Sequence, residues 1–520
     1  MEFEMIAKTF QGLEGVLAEE LTNLGANNVQ IGRRMVSYTG DKELLYRSNF
    51  ALRTAIRVLK PIKHFRATSA DEVYEAVKQI DWSRYLDIKT TFAVDSVVFS
   101  TEFRHSKFVA YKVKDAIVDQ FRERTGDRPN IRITNPDLQL HIHVAEYDCT
   151  LSLDSSGESL HRRGYRQEAV EAPLNEVLAA GIILMTGWKG ETDFIDPMCG
   201  SGTLPVEAAL IARNIAPGVY RQGYAFEKWP DYDEELFQRI YNDDSQERPF
   251  EHHIYGRDNN REAVSIATRN VKAAGLSNEV TIEFMDFKDF KKPENPSIIV
   301  TNPPYGERIS APDLLGLYRT IGERLKHEFM DNTAWILSYR EECFEAIGLK
   351  PSLKTPLYNG SLECELRKYQ IFDGKYNAVR GAGREIKSAD DRRQMAQKRR
   401  FKEKRGFKQG LDESDDEFQL RMERHNDRRG DRNFRDDNRG FRGKDRDSNG
   451  GNRDFRGKDR DFRGKDRDFH RGSRDFHSKD RDFHSKDRSF RGGDRREKNF
   501  KPGRPDKGNW SKKGGRNYED

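Results

Sequence analysis

The segment IIVTNPPYGER carries the clearest chemical signal in the chain: Asn302, Pro303, Pro304 and Tyr305 directly follow an apolar, strand-like run. Two consecutive prolines cannot continue a hydrogen-bonded ladder, and they fix an extended loop. Such a loop can present the Asn302 side-chain oxygen and the Pro303 carbonyl as two acceptors for a conjugated NH2. Held by both, the amine is drawn out of plane and its lone pair is exposed toward a sulfonium methyl. Tyr305 can stack on a flipped base, an interaction worth roughly 1 to 3 kcal/mol. Neither a metal nor a strong base is required, because the amine loses its proton after attack.

A second signal is FIDPMCGSGTLPVEAAL, in which Asp196 ends a strand, Gly200 and Gly202 shape a tight turn, and Leu204 onward opens a helix. Glycines allow close backbone approach to a ligand. Residues 200–205 read GSGTLP, with proline where a dinucleotide fingerprint needs its third glycine, and no Gly-Lys-Ser/Thr follows to make a phosphate loop. Asp258 ends HHIYGRD, where doubly wound folds place the carboxylate that accepts from ribose hydroxyls. Asp286 follows VTIEFM; there a carboxylate can receive an adenine amino group, with the Phe287 ring packing on the base.

These residues need a parallel sheet to bring them together. DFID, HHIYGRD, VTIEFMD and SIIVTN are apolar runs ending in Asp or Asn and separated by helix-like segments, a pattern that predicts an α/β sheet with helices on both faces. In LKTPLYNGSLECELRKYQIF, Asn359-Gly360 lies between two strand-like runs and predicts a closing hairpin. Upstream, Leu13 to Leu24 reads as an amphipathic helix in a small α+β unit. A second α+β stretch follows, with helices over Ala70 to Ile80 and Lys107 to Arg124 and strands over Asp137 to Val144 and Asp148 to Leu153. Arg53, Arg57, Lys60, Lys63, His64 and Arg66 form an early basic cluster that is either an RNA-facing patch or an ordinary solvated face.

Charge divides the 520 residues in two: from Gly381 onward 44 basic and 30 acidic residues give +14, whereas the first 380 positions carry −9. No Leu, Ile or Val occurs after Leu420, and phenylalanines recur every seven residues in variations on RDFRGKD. Nothing there can build a core, so a disordered repeat tail is expected. Its Arg-Gly and Arg-Phe repeats suit nonspecific RNA contacts, while the Asp beside nearly every cation suits a solubilising role. Four cysteines without a CxxC pair give neither a disulfide framework nor a metal site. No basic leader or long apolar run is present, so a cytoplasmic protein with no membrane partner is expected.

With DPMCGSGT as cofactor loop and TNPPYGER as amine-binding loop, the chain resembles the class I, S-adenosylmethionine-dependent methyltransferases. Over residues 1–375 it resembles more closely the THUMP-containing bacterial 23S rRNA guanine-N2 methyltransferases: AKTFQGLEGVLAEELTNLGA is similar to their ferredoxin-like unit, NFALRTAIRVL and IDWSRYL to their THUMP domain, and RGYRQEAVEAPLNEVLAAGIILMTGW to the segment before the cofactor loop. The resemblance implies a ferredoxin-like unit over 1–45, a THUMP domain over 46–157 and a Rossmann-like methyltransferase domain over 160–375, with 380–520 outside the family pattern. It implies that Asp196, Gly200 and Gly202 contact the methionine end of S-adenosylmethionine, Asp258 the ribose and Asp286 the adenine, that Pro173 and Leu174 line the pocket, and that Asn302 to Tyr305 hold the target base. Asn175 stands where many relatives have Lys. A single methyltransferase activity on 23S rRNA or a pre-ribosomal particle is implied, because neither a second cofactor loop nor a second NPPY is present. Loops of this kind also serve adenine-N6 and glutamine-amide methylation; a non-catalytic RNA chaperone or assembly factor is the reading from another class.

Overall fold

The computed structural model describes residues 2–306 and 313–372; the repeat tail and the residues just after the NPPY loop lie outside them. The first half is built from β1 (Phe3–Lys8), α1 (Glu14–Asn23), β2 (Asn27–Gly32), β3 (Met35–Gly40), α2 (Lys42–Ala51), β4 (Arg57–Arg66), α3 (Ala70–Lys78), β5 (Thr91–Phe99), α4 (Ser106–Thr125), β6 (Asn130–Ile131), β7 (Leu138–Ala145) and β8 (Asp148–Asp154). All eight strands belong to one sheet, ordered β2-β3-β1-β4-β8-β7-β5-β6. β4 is the join: Leu59 pairs with Ile6 of β1, while the strand runs on to pair Arg66 with Asp148 of β8. The boundary expected at 45/46 falls inside α2, a helix capped by the Asp41 carboxylate on Leu44 N–H at 2.9 Å, with Leu44, Leu45 and Tyr46 all buried.

The second half contains α5 (Glu176–Thr186), β9 (Asp193–Asp196), α6 (Thr203–Ala212), α7 (Glu234–Asn242), β10 (Ile254–Asp258), α8 (Arg261–Ala273), β11 (Val280–Phe284), β12 (Ser297–Thr301), α9 (Leu314–His327), β13 (Thr333–Ser338), α10 (Glu341–Ile347), β14 (Leu353–Asn359) and β15 (Leu362–Gln370). The sheet order is β11-β10-β9-β12-β13-β15-β14, parallel from β11 to β13, with β15 antiparallel to both neighbours. Strand side chains alternate between faces: Phe194, Ile298, Val300, Trp335 and Leu337 pack with α5 and α6, while Ile195, Ile299, Ala334 and Ile336 pack with α9 and α10. Both faces are therefore covered, as the near-continuous apolar strands require. In the closing hairpin Asn359 pairs with Leu362, so the two-residue turn is Gly360-Ser361 and not Asn359-Gly360. Gly360, at φ +65°, takes the left-handed first position that a type II′ turn demands.

The two halves exchange apolar pieces. Between α6 and β10 the chain runs back to the first half, where Tyr224, Phe226, Trp229, Phe237 and Ile240 join its core and Phe226 stacks on Tyr46 with ring centroids 4.3 Å apart. In the other direction, Leu13 is fully buried in the second half's core, so close to α5 that a Cβ on Gly181 would lie 2.6 Å from its Cδ2. Gly12 is held at φ +95° beside Leu357 and Pro356 of β14. Leu13→Ala is expected to destabilise the folded chain by about 2–5 kcal/mol, since it leaves a cavity that two rigid elements cannot collapse; urea unfolding of the variant measures it.

Candidate active site

The strand order reverses between β9 and β12, and doubly wound sheets bind ligands at such a point, in the crevice beyond the carboxyl ends of the strands. Asp196 ends β9, Asp258 ends β10 and Asn302 follows β12 directly, so the topology brings these three residues to one sheet edge. Thr301, buried at the end of β12, donates from Oγ1 to Asp196 Oδ1 at 2.8 Å and ties the start of the NPPY loop to the end of β9. Burial raises the Asp196 carboxyl to about 7; the bonds from Thr301 and from Met198 N–H oppose the shift, and the charge of Asp258 adds to it.

Asp258 organises the glycine turn. Its Oδ2 accepts from Gly200 N–H at 2.9 Å and its Oδ1 from Asn260 N–H at 2.9 Å. Burial raises its carboxyl, against those amide bonds. Gly200 and Gly202 both sit in the left-handed region, at φ +53° and +81°, and a Cβ on Gly202 would press on Ala267 of α8 at 3.1 Å. Gly202 then caps α6, so the turn presents helix-terminal amides at the crevice.

Asn302 Oδ1 is buried and has no hydrogen-bond partner among the described residues. An acceptor left unpaired in the folded protein costs about 1–3 kcal/mol, and a ligand that supplies a donor recovers it. Pro303 beside it is buried, Pro304 and Tyr305 are half-buried. The Tyr305 hydroxyl accepts from Asn359 Nδ2 at 2.6 Å, and its ring meets Tyr339 edge-on with centroids 5.4 Å apart. The closing hairpin thus holds the aromatic ring of the loop.

Other residues stand apart from the expectations. Asp286 is half-buried, two positions past the end of β11, with Oδ1 accepting from Lys288 N–H at 3.0 Å. Phe287 is not available to pack on a base: its ring is buried in the core, stacked on Phe329 at 5.6 Å. Pro173 and Leu174 line a cavity of about 600 Å³ together with Arg163, Arg166, Glu176 and Arg221, and none of Asp196, Gly200 or Asp258 lines it. Asn175 accepts from Val177 N–H and caps α5.

The basic cluster separates. Arg53 is buried between the two halves, its N–H on Glu20 Oε1 and its carbonyl accepting from Arg163, so it cannot face a polyanion. Arg57 pairs with buried Asp154 and donates to the Gly157 carbonyl; Lys60 lies 4.3 Å from the Phe3 ring centroid; Lys63 donates to the Ala76 carbonyl at 2.8 Å. His64 is exposed and its Nε2 lies 2.8 Å from Glu4 Oε2. Arg66 alone projects far into solvent, 3.3 Å from Asp148. Most of these cations serve the fold.

Three residues that the motifs did not indicate assemble the site. Arg166 donates to Glu176, Ser201, Thr203 and the Leu174 carbonyl, at 2.7 to 3.2 Å, and stitches the segment before α5 to the glycine turn. Asn270 of α8 donates to the Ser201 and Glu168 carbonyls and accepts from Gln167 N–H. Thr301 is the third. Only Thr301 had a local cue, its position just before Asn302.

Comparison with known proteins agrees with this geometry. Residues 163–368 match the RMKL-like methyltransferase domain, residues 67–154 the THUMP domain and residues 4–59 the RlmL ferredoxin-like domain. A Synechocystis sp. protein whose name gives it provisionally as an RNA methyltransferase is 38% identical over 373 residues, 70% of this chain and 96% of that one. The ribosomal RNA large subunit methyltransferase K/L of Syntrophotalea carbinolica is 39% identical over 380 residues, which are 70% of this chain and 53% of that one, so the chain spans about half the length of relatives of that name. The crystal structure of SMU.472, provisionally named a methyltransferase and solved with SAH, superposes with a TM-score of 0.65 at 32% identity, covering 72% of this chain and 99% of that one. With the sheet order, the glycine turn and the NPPY loop, these matches place the chain in the family of THUMP-containing, RlmL-like class I RNA methyltransferases, which use S-adenosylmethionine.

Proposed function

We propose that the protein methylates the exocyclic N2 amine of a guanine in 23S ribosomal RNA, free or within an assembling particle. The observation that carries this reading is the buried Asn302 Oδ1 at the switch point, unpartnered among the described residues and next to two prolines and a ring-bearing tyrosine. Asn302 Oδ1 accepts one N–H of the target amine and the Pro303 carbonyl the other; Pro304 keeps the pair rigid, and Tyr305, steadied by Asn359 and Tyr339, stacks on the base. S-adenosylmethionine supplies an electrophilic methyl on a sulfonium.

The residues fit that cofactor. Gly200 and Gly202, both at positive φ, shape the turn that the methionine end lies against, Asp258 stands at the ribose position, Asp196 faces the methionine ammonium, and Asp286 receives the adenine amine. Ribosomal RNA as substrate is supported by the names of the K/L relatives, and guanine over adenine by the family resemblance of the whole described chain. Unstacking a base costs a few kcal/mol, least where it is already looped out.

Asp196 makes the reading pH-dependent. Its folded carboxyl titrates near 7, above its unfolded value, so the free protein binds a proton more tightly folded than unfolded and loses stability as pH rises from about 4 to about 7. Binding a cationic ammonium works in the opposite sense: affinity for S-adenosylmethionine should rise from about pH 6 to about pH 8 as the carboxylate forms. Calorimetric titration across that range should show the rise in the native protein and a flat profile in Asp196→Asn; a rise that survives in the variant would remove Asp196 from the ammonium contact. The substrate itself is tested by incubating the protein with labelled S-adenosylmethionine and total RNA from a strain lacking the gene. Label confined to 23S rRNA is expected, and label in protein or DNA alone would sink the proposal.

A further inference from the structure

The cations that read as an RNA patch are mostly paired, which leaves the question of where RNA is gripped. The segment FRHSKFVAYKVK, at the entry to α4, answers it differently. Phe108 and Tyr111 lie one helical turn apart and are more than half exposed, at 52% and 56%. Single exposed rings are ordinary, but paired rings among cations are not. Arg104, His105 and Lys107 are all exposed around them, and among the described residues no acidic group pairs with these three. Lys112 Nζ lies 5.6 Å from the Phe108 ring centroid and Lys114 Nζ 5.7 Å from that of Tyr111; both are also paired with acids, Lys112 with Asp71 at 2.6 Å and Lys114 with Asp115 at 2.7 Å, so the cations left for phosphates are Arg104, His105 and Lys107. The first turn of α4 contains no acid. Buried Phe103 and the bond from Ser96 Oγ to the Ser106 carbonyl, 2.8 Å, fix this entry turn to β5, which ends at Phe99, itself 59% exposed. A rigid basic surface with aromatic faces matches the chemistry of unpaired nucleotides, whose bases stack on any ring and whose phosphates pair with nearby cations.

We propose that the entry turn of α4 is a stacking platform for unpaired nucleotides of the RNA substrate, with Phe108 and Tyr111 under the bases and Arg104, His105 and Lys107 on the phosphates. The proposal rests on the reading that the substrate is RNA. It gives the THUMP half a contact for a polyanion that does not depend on the β4 cations, of which Arg57 pairs with Asp154, Lys60 lies against Phe3 and Lys63 bonds the Ala76 carbonyl.

The test uses the full chain and oligouridylate carrying one photoreactive 4-thiouridine, single-stranded or annealed in a duplex. Crosslinks to the peptide containing Phe108 and Tyr111 are expected from the single strand and not from the duplex. The double variant Phe108→Ala/Tyr111→Ala should lose that crosslink and raise KM for 23S rRNA by about tenfold or more, with kcat and circular dichroism unchanged; Phe108→Trp/Tyr111→Phe should keep both. Normal methylation with unchanged KM in the double variant, or crosslinks confined to the tail or to the Arg66 face, would overturn the platform and leave the proposed activity standing. A shift of the double variant to a smaller sedimenting species would make the patch a contact between copies and would overturn it too. Absence of both crosslinks and methylation in the native protein would remove the RNA reading itself.

Discussion

Asn302→Ala should lower the rate of methyl incorporation into ribosomal RNA by about 10²–10³-fold, the cost of removing one preorganised acceptor from a site where charge develops on the amine. Affinity for S-adenosylmethionine should stay within about twofold, because the glycine turn and Asp258 are untouched. The size of the effect follows from geometry. Asn302 Oδ1 is buried with no partner among the described residues, so bonding to the amine breaks none of the hydrogen bonds that the described residues make. Asn302→Asp keeps the acceptor but puts a further carboxylate one residue after Thr301, whose hydroxyl is bonded to Asp196. That variant should bind cofactor and methylate poorly. Single-turnover rates at saturating cofactor separate the two effects, and an Asn302→Ala rate within about fivefold of native would show that the amine is held elsewhere.

Arg163→Ala should destabilise the chain by about 3–5 kcal/mol, the penalty for stripping a buried anion of its cation. Arg163 is only 2% exposed and lies between the two halves: Nε approaches Glu207 Oε1 of α6 at 3.5 Å, Nη1 donates to the Leu160 carbonyl at 2.8 Å, and Nη2 donates to the Arg53 carbonyl. Tyr165 donates to the same Glu207 oxygen at 3.0 Å. Burial already pushes the Glu207 carboxyl up, and Arg163 opposes that shift. Without Arg163 the carboxyl must either stay charged in the core or take up a proton. The double variant Arg163→Ala/Glu207→Gln should recover part of the loss; equal destabilisation in both would show that packing, not charge, is what Arg163 contributes.

What could be read in the sequence was what depends on neighbours along the chain. The strand ends at Asp196 and Asp258, the glycine turn and the NPPY loop are short signals whose backbone consequences are local, and each lies where the pattern placed it. Long-range partners were invisible. Arg57 reads as a free surface cation because its partner Asp154 is 97 residues away, and Arg163 gives no cue to its buried role because Glu207 and the Arg53 carbonyl are 44 and 110 residues away. The return of Tyr224, Phe226 and Trp229 to the first half's core is likewise a tertiary fact. Phe287 was misassigned because adjacency to Asp286 does not say which way a ring turns; the crowded cluster of Phe290 and Phe329 decided it. The hairpin was found and its turn misplaced by one residue, since Gly360, which tolerates positive φ, sets the register. The aromatic and basic run before and within α4 was seen only as helix periodicity, whose buried members Val109, Val113 and Ala116 dominate the pattern.

The most direct test of the central claim is the chemical identity of the product. 23S rRNA from cells lacking the gene, methylated by the purified chain and digested to nucleosides, should contain labelled N2-methylguanosine by liquid chromatography and mass spectrometry, and Asn302→Ala should produce none. Label in N6-methyladenosine instead would keep the amine-holding loop and contradict the assignment of the base.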